Sequence, residues 1–323
     1  TTLLEASLIA GSRTLFRHFL SHTVSHFDPQ AFFSAKRLEQ EQRHAKFQDT
    51  PYSLEPNIKE GPGGMRDLQT ILWITRACGL GSTWTELAKG GFVTQTEARH
   101  LARCERLLRE LRVRLHYAAG RRDDRLLFDV QDRIAGELGY VPTAHRRASE
   151  LLMQRYYRTA KAVTQLNTIL LQNIGAVIFQ EQDVEAEIIN ERFQAVHELL
   201  EARDAELFER QPEAILESFQ IMQQRPELKG MTAQTLRALW RARFRIDGAF
   251  RRDPRNRAAF LSILQQPRGI VHELRRMNQY DILGRYLPSF RRIVGQMQHD
   301  LFHVYTVDQH TLAVIRNLRR FTM

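Results

Sequence analysis

Lys59, Arg66 and Asp67 flank Gly61, Pro62, Gly63 and Gly64 in the stretch EPNIKEGPGGMRDLQT, residues 55–70. Glycines at this density let a backbone come close to a ligand or to a neighbouring piece of chain, because no Cβ stands in the way. Main-chain amides in such a turn, with Lys59 and Arg66 beside them at the start of a helix, suit phosphate oxygens. Asp67 in the first turn favours the helix dipole and can orient an arginine. The other reading is a tight interdomain turn ahead of an ordinary capped helix. The pattern is neither a Walker A loop nor a dinucleotide GxGxxG, so residue types alone leave both readings open. Lys36, Arg37 and Arg43, in AKRLEQEQRH, share the ambiguity, since Lys36, Arg37 and Glu39 can also form surface pairs worth under about 1 kcal/mol.

The elements that must position this loop are helices. From Glu97 to Ala119, Leu101, Cys104, Leu108, Leu111, Leu115 and Ala118 alternate at steps of three and four, with arginines on the other face and Gly120 as the stop. Ser149 to Asn173 carries a second long stripe, Leu152, Tyr156, Ala160, Val163, Leu166 and Leu170, predicted to end before Gly175. Further helices are predicted over Pro29 to Ala45, Gly64 to Ala77, Gln131 to Leu138, Pro212 to Gln224, Thr232 to Phe250, Pro254 to Gln265 and Ile270 to Met277, most bounded by Pro or Gly. The fold class read from this is all-α, a set of multi-helix bundle modules. One short β-hairpin is allowed near 190–203, where NERFQAVHELLEARD fits a helix nearly as well. Seams are expected near Gly175 to Asn190 and Gly284 to Gln298, and no period of 20 to 50 residues repeats.

A chain of 323 residues, 43% hydrophobic and 26% charged, has the composition of a soluble globular protein with two or three domains. No continuous apolar run approaches the roughly 18 residues of a membrane span, and the N-terminus lacks a secretory pattern, so a cytoplasmic location is expected. Cys78 and Cys104 have neither CxxC spacing nor a nearby histidine pair, which disfavours a disulfide framework or zinc site. The net charge of +10 suggests an anionic partner, yet the arginines are dispersed among Glu and Asp and lack interleaved aromatics. Nucleic acid is therefore not the expected partner. The chain starts at Thr rather than Met and ends inside an amphipathic pattern, so it reads as a piece of something longer.

The stretch AKRLEQEQRHAKFQDTPYSLEPNIKEGPGGMRDLQTILWI resembles the region just after the nucleotidyltransferase domain in the family of bifunctional uridylyltransferase/uridylyl-removing enzymes that modify the nitrogen-signalling protein PII. A similar loop occurs in glutamine synthetase adenylyltransferases, which makes that family the rival enzyme reading. MNQYDILGRYLPSFRRIVGQMQHDLFHVYTVDQHTLAVIRNLRRF separates the two, since it is similar to the PII enzymes' entry into an HD phosphohydrolase domain. A basic helical nucleic-acid-binding or scaffold module is the rival from outside enzymology.

The resemblance implies four segments: 1–50, the end of the nucleotidyltransferase domain; 51–180, a helical domain associated with its site; 181–298, a helical linker domain; and 299–323, the first helix of an HD domain. It implies transfer of UMP from UTP to PII, hydrolysis of the adduct, and magnesium or manganese in the parent enzyme. Lys59, Gly61, Gly63, Gly64, Arg66, Asp67, Lys36 and Arg37 then lie at the nucleotide or at an interdomain contact. The family's paired metal-binding carboxylates are not found. The one local substitute, Arg122 to Asp124, is expected to be a solvated loop. His310 matches the first His of the HD set, a metal ligand in the parent only, so no bound ion is expected here. His299-Asp300 precedes the family's element and reads as a decoy, and His303 as a packing residue or one that supports a metal ligand rather than a ligand itself.

Overall fold

A computed structural model describes residues 2–25, 28–47, 51–179, 186–297 and 305–321. The chain divides into two compact units, Thr1–Glu181 and Gln182–Met323. It is mostly helical, with one small four-stranded sheet in the second unit.

In the first unit the Met65–Ala77 helix is buried on most of its surface, from Leu68 and Ile71 to Trp73 and Ile74. It packs against Pro29–Ala45, Gln95–Ala119 and Ala148–Phe179. Each of its fully buried Leu or Ile side chains contributes about 1.5–3 kcal/mol, so apolar burial and not the loop alone holds the helix in place. Gln95–Ala119 begins with a capping box, in which Thr94 Oγ1 accepts from the Glu97 amide at 3.1 Å and Glu97 Oε2 from the Thr94 amide at 2.7 Å. It ends at Gly120, whose φ of 65° is the left-handed stop the sequence predicts.

The second long stripe runs further than expected. Ala148–Phe179 continues through Gly175, which sits against the Phe33 ring; a Cβ there would lie 3.2 Å from Phe33 Cζ. The glycine is a notch for a neighbouring helix rather than a terminator. This helix is long and apolar enough to cross a membrane by length and composition, although polar residues interrupt its apolar run. Its buried stripe, from Leu152 through Tyr156 and Val163 to Ile174, forms the core of the unit.

In the second unit strands β1 (Glu187–Ile188), β2 (Phe193–Val196) and β3 (Leu199–Ala202) are antiparallel neighbours, and β4 (Gly230–Met231) joins β3 in parallel. Phe193 and Ala195 on β2 and Leu200 and Ala202 on β3 are buried, the period of two that a half-covered sheet needs. Helices Ala214–Gln224, Pro254–Gln265 and Ile270–Gln279 pack together, while Ala233–Ala242 covers β3. The continuous helix predicted over Thr232 to Phe250 is broken. Ala233–Ala242 passes into a 3-10 turn, Arg243–Arg245, and Gly248–Arg252 restarts behind Asp247, whose Oδ1 accepts from the Phe250 amide at 2.9 Å. Val307–Arg320 closes the described chain and packs on Ile270–Gln279.

Candidate functional site

The amides that a phosphate would need are taken up inside the glycine-rich loop. Gly61 N–H donates to Asn57 O at 2.9 Å, Gly64 N–H to Gly61 O at 2.9 Å, Met65 N–H to Ile58 O at 3.1 Å and Arg66 N–H to Lys59 O at 2.9 Å. The amides of Lys59 and Glu60 donate to Asn57 Oδ1 at 3.1 and 2.7 Å. The three glycines are each needed for close approach to protein backbone. A Cβ would come within 2.7 Å of Asn57 O at Gly61, 2.2 Å of Ala160 O at Gly63 and 2.8 Å of Lys59 O at Gly64.

Asp67 is the hub. Its carboxylate is fully buried, and Oδ1 accepts from Gln40 Nε2 at 2.8 Å and Arg43 Nη2 at 2.7 Å. Oδ2 accepts from the Gly63 amide at 2.7 Å, and His44 Nε2 lies 2.9 and 3.1 Å from the two oxygens. Burial pushes the Asp67 carboxyl up, but the hydrogen bonds and charges of His44 and Arg43 outweigh it and hold the group below its ordinary value. An ionised carboxylate only accepts, so His44 presents an Nε2–H to it. Gln40, Arg43 and His44 share one face of Pro29–Ala45, so this single carboxylate clamps that helix to the loop and to Met65–Ala77.

From the hub the charges run outward without a gap. Arg43 Nη1 donates to the Glu60 carbonyl at 2.7 Å, and the Glu60 carboxylate takes Arg66 Nη2 at 2.9 Å. Lys59 lies 3.4 Å from Glu60 and 3.7 Å from Asp124, which accepts from Arg112 Nε at 2.6 Å and lies 3.4 Å from His116 Nε2. Burial raises the Glu60 and Asp124 carboxyls too, and their basic neighbours outweigh it. Arg122 to Asp124 does lie in a loop between helices, but Asp124 is not a solvated side chain; it ties that loop to Gln95–Ala119 and to Lys59. The Arg66 guanidinium and Lys36 Nζ both lie over the Trp73 ring, at 5.0 and 5.4 Å from its centroid. Lys36 also pairs with Glu39, while Arg37 pairs with Glu41 at 3.4 Å on an exposed face away from the loop.

The structure thus gathers Lys59, Gly61, Gly63, Gly64, Arg66 and Asp67, with Lys36 at the margin and Arg37 outside. Sequence reasoning missed Gln40, His44, Glu60, Arg112 and His116. Their one signal was the i, i+3, i+4 spacing of Gln40, Arg43 and His44, which has meaning only once Asp67 is known to face it.

At the other end of the chain His310 lies exposed in the first turn of Val307–Arg320, its amide bonded to Thr306 O at 2.9 Å. The turn is pinned by Asp308, a fully buried carboxylate accepting from Asn278 Nδ2 at 2.9 Å and the Gly295 amide at 3.0 Å. Among the described residues no three His, Cys, Asp or Glu side chains come together to hold a metal ion. His299, Asp300 and His303 lie outside the described residues. Cys78 and Cys104 are free thiols that burial pushes up to about 11, where they are inert.

A family model described as GlnD PII-uridylyltransferase matches residues 31–171, and one described as uridylyltransferase GlnD third domain matches residues 193–286. The chain is similar over all its 323 residues to bifunctional uridylyltransferase/uridylyl-removing enzymes of Aromatoleum aromaticum (61% identical), Bordetella parapertussis (59%) and Ralstonia nicotianae (58%). It spans 37–38% of the length of those relatives. No solved structure matches.

Proposed function

Because the chain belongs to the GlnD family of bifunctional uridylyltransferase/uridylyl-removing enzymes, we propose that it is the helical part of such an enzyme, one that transfers UMP from UTP to a PII protein in the cytoplasm and hydrolyses the adduct. In this reading its first unit supports the transferase centre and its last helix opens the hydrolase. The observation that carries it is the similarity along the whole chain, which embraces both the glycine loop and the segment leading to His310 and so disfavours a glutamine synthetase adenylyltransferase.

Within that frame the Lys59 to Asp67 loop is a structural clamp rather than a triphosphate cradle, since its amides and its one buried carboxylate already have protein partners. Magnesium or manganese supplies Lewis acidity in both reactions. The described residues do not by themselves fit such an ion, because no three His, Cys, Asp or Glu side chains among them come together to supply its ligands. In this reading His310 is a ligand that the chain contributes, and the 323-residue chain alone turns over no UTP. Turnover of UTP with PII by the purified chain would overturn that assignment.

Two substitutions in a full-length family member test the division of labour. His310→Ala is expected to cut release of UMP from modified PII by at least about 100-fold while transfer stays largely intact. Retained hydrolysis removes His310 from the metal centre. Arg66→Ala breaks a partly exposed pair with Glu60 and a contact with Trp73, worth together about 1 kcal/mol, and should change transfer only in step with that small loss of stability. A large drop in transfer with an unchanged melting temperature would instead put the guanidinium on the nucleotide.

A further inference from the structure

Two arginines of the second unit are held side by side with one carboxylate between them. Arg243 follows the Ala233–Ala242 helix, and Arg285 lies in the short Leu283–Tyr286 helix just after Asp281. Asp281 Oδ2 accepts from Arg285 Nε at 3.0 Å and lies 3.6 Å from Arg243 Nε. Both guanidiniums lie over the Phe244 ring, 4.3 and 4.2 Å from its centroid, and Arg243 also covers Trp240 at 4.0 Å. Their side chains are only 13% and 12% exposed, against 63% for Phe244.

The charge of this cluster is not balanced. Arg243 gives Nη1 to the Trp240 carbonyl, and Arg285 gives only Nε to Asp281. Among the described residues, Arg243 Nη2 and both terminal nitrogens of Arg285 have no hydrogen-bond partner. A third guanidinium, Arg251, donates to the Arg285 carbonyl at 3.1 Å and has the charge of Asp247 close to it, as the neighbouring Arg245 has Glu209 at 2.9 Å, which leaves Arg243 and Arg285 to share Asp281. Burial and the charge of Arg285 push Arg243 down to about 10. Like charges brought together in a partly desolvated place repel strongly, and the usual compensation is an anion that both can grip.

We propose that Arg243 and Arg285 form a binding site for a phosphate-class oxyanion, with their free Nη groups as the donors and the exposed edge of Phe244 as a wall. Planar guanidiniums fork onto such oxygens with charge-assisted bonds, and stacking on aromatic rings fixes their planes in advance. Asp281 holds the two Nε atoms in register when the site is empty and competes with the ligand for their charge. The pair falls inside the segment matched as the GlnD third domain and is distant in sequence from both the glycine loop and His310.

Inorganic phosphate is the probe. Titrated into the 323-residue chain at ionic strength held constant with chloride, it should raise the melting temperature saturably, with a Kd on the order of 1 mM. Arg285→Gln should weaken the binding by about tenfold or more. Asp281→Asn removes the competing carboxylate, and Asn tolerates the positive φ of 64° at this position as Asp does, so the fold is kept while phosphate binds several-fold more tightly. Opposite shifts in the two variants establish the site. Equal response of Arg285→Gln and the unmodified chain, no tightening in Asp281→Asn, or the same stabilisation from acetate or chloride overturns it.

Discussion

Asp67→Ala lowers the stability of the first unit by about 3–5 kcal/mol, measured by urea unfolding through Trp73 and Trp84 in a Trp240→Phe background. The substitution leaves Arg43 and His44 beside a vacated, fully buried position and strands the donors of Gln40 and Gly63. Removing one partner of a buried charge network costs far more than the network contributes over an apolar replacement, because the other partner stays buried without compensation. Asp67→Asn keeps the shape and loses less, yet its amide meets the Gly63 N–H donor to donor. A loss under about 1 kcal/mol for Asp67→Ala would mean that apolar packing of Met65–Ala77 holds the loop without the clamp.

The same carboxylates set the response to acid. Asp67, Glu60 and Asp124 all sit below their ordinary values in the folded chain, so the unfolded chain binds protons first as the pH falls. Their stabilisation is present in full above the ordinary carboxylate range near about pH 4 and is lost as the pH drops through that range and below the folded values. Urea midpoints of the first unit should therefore fall from pH 5 toward pH 3, and fall less steeply in Asp67→Asn. An identical slope in that variant would assign the acid sensitivity to other groups.

How much of this could be read from sequence depended on how local each cause is. The long amphipathic stripes were legible because their period is local, as in Gln95–Ala119 with its cap and its Gly120 stop. The β2–β3 hairpin was ambiguous for a local reason too. Its two-residue turn is made by His197 and Glu198 at φ of 48° and 59°, a conformation ordinarily signalled by Asn-Gly and carried here by residues without that signal. Gly175 misled because a glycine that receives a neighbour's ring looks the same in sequence as one that ends a helix. The break after Ala242 was signalled by Asp247 and Gly248, a cap residue and a glycine inside a run that otherwise kept helical period. At the loop, glycine spacing announced a close approach but not its object. The order of residues gives no hint that the approaching backbone is that of Ala160 or that Gln40, Arg43 and His44 point at Asp67.

Gly63→Ala should cost about 4 kcal/mol or more, whereas Gly79→Ala should cost about 1–2, and that contrast tests what the glycine-rich loop is for. Both positions have left-handed backbone, φ of 73° and 69°, so both substitutions carry the same penalty of about 1–2 kcal/mol for placing an L side chain there. Nothing lies within 4 Å of a Cβ at Gly79. At Gly63 the Cβ would stand 2.2 Å from the Ala160 carbonyl oxygen, 2.7 Å from its carbon and 2.8 Å from its Cα. These are backbone atoms in the middle of the Ala148–Phe179 core helix, which cannot rotate out of the way as a side chain could. Either the loop or the helix must move, and overpacking of that kind adds about 1–3 kcal/mol before the Gly63 amide loses its bond to Asp67. Urea midpoints of the two variants, read through the same tryptophans, separate the readings. A loop made glycine-rich for a ligand would show equal, small losses at both positions and a binding defect at Gly63 alone; one made glycine-rich to seat against the core helix shows the large difference in stability without any ligand present.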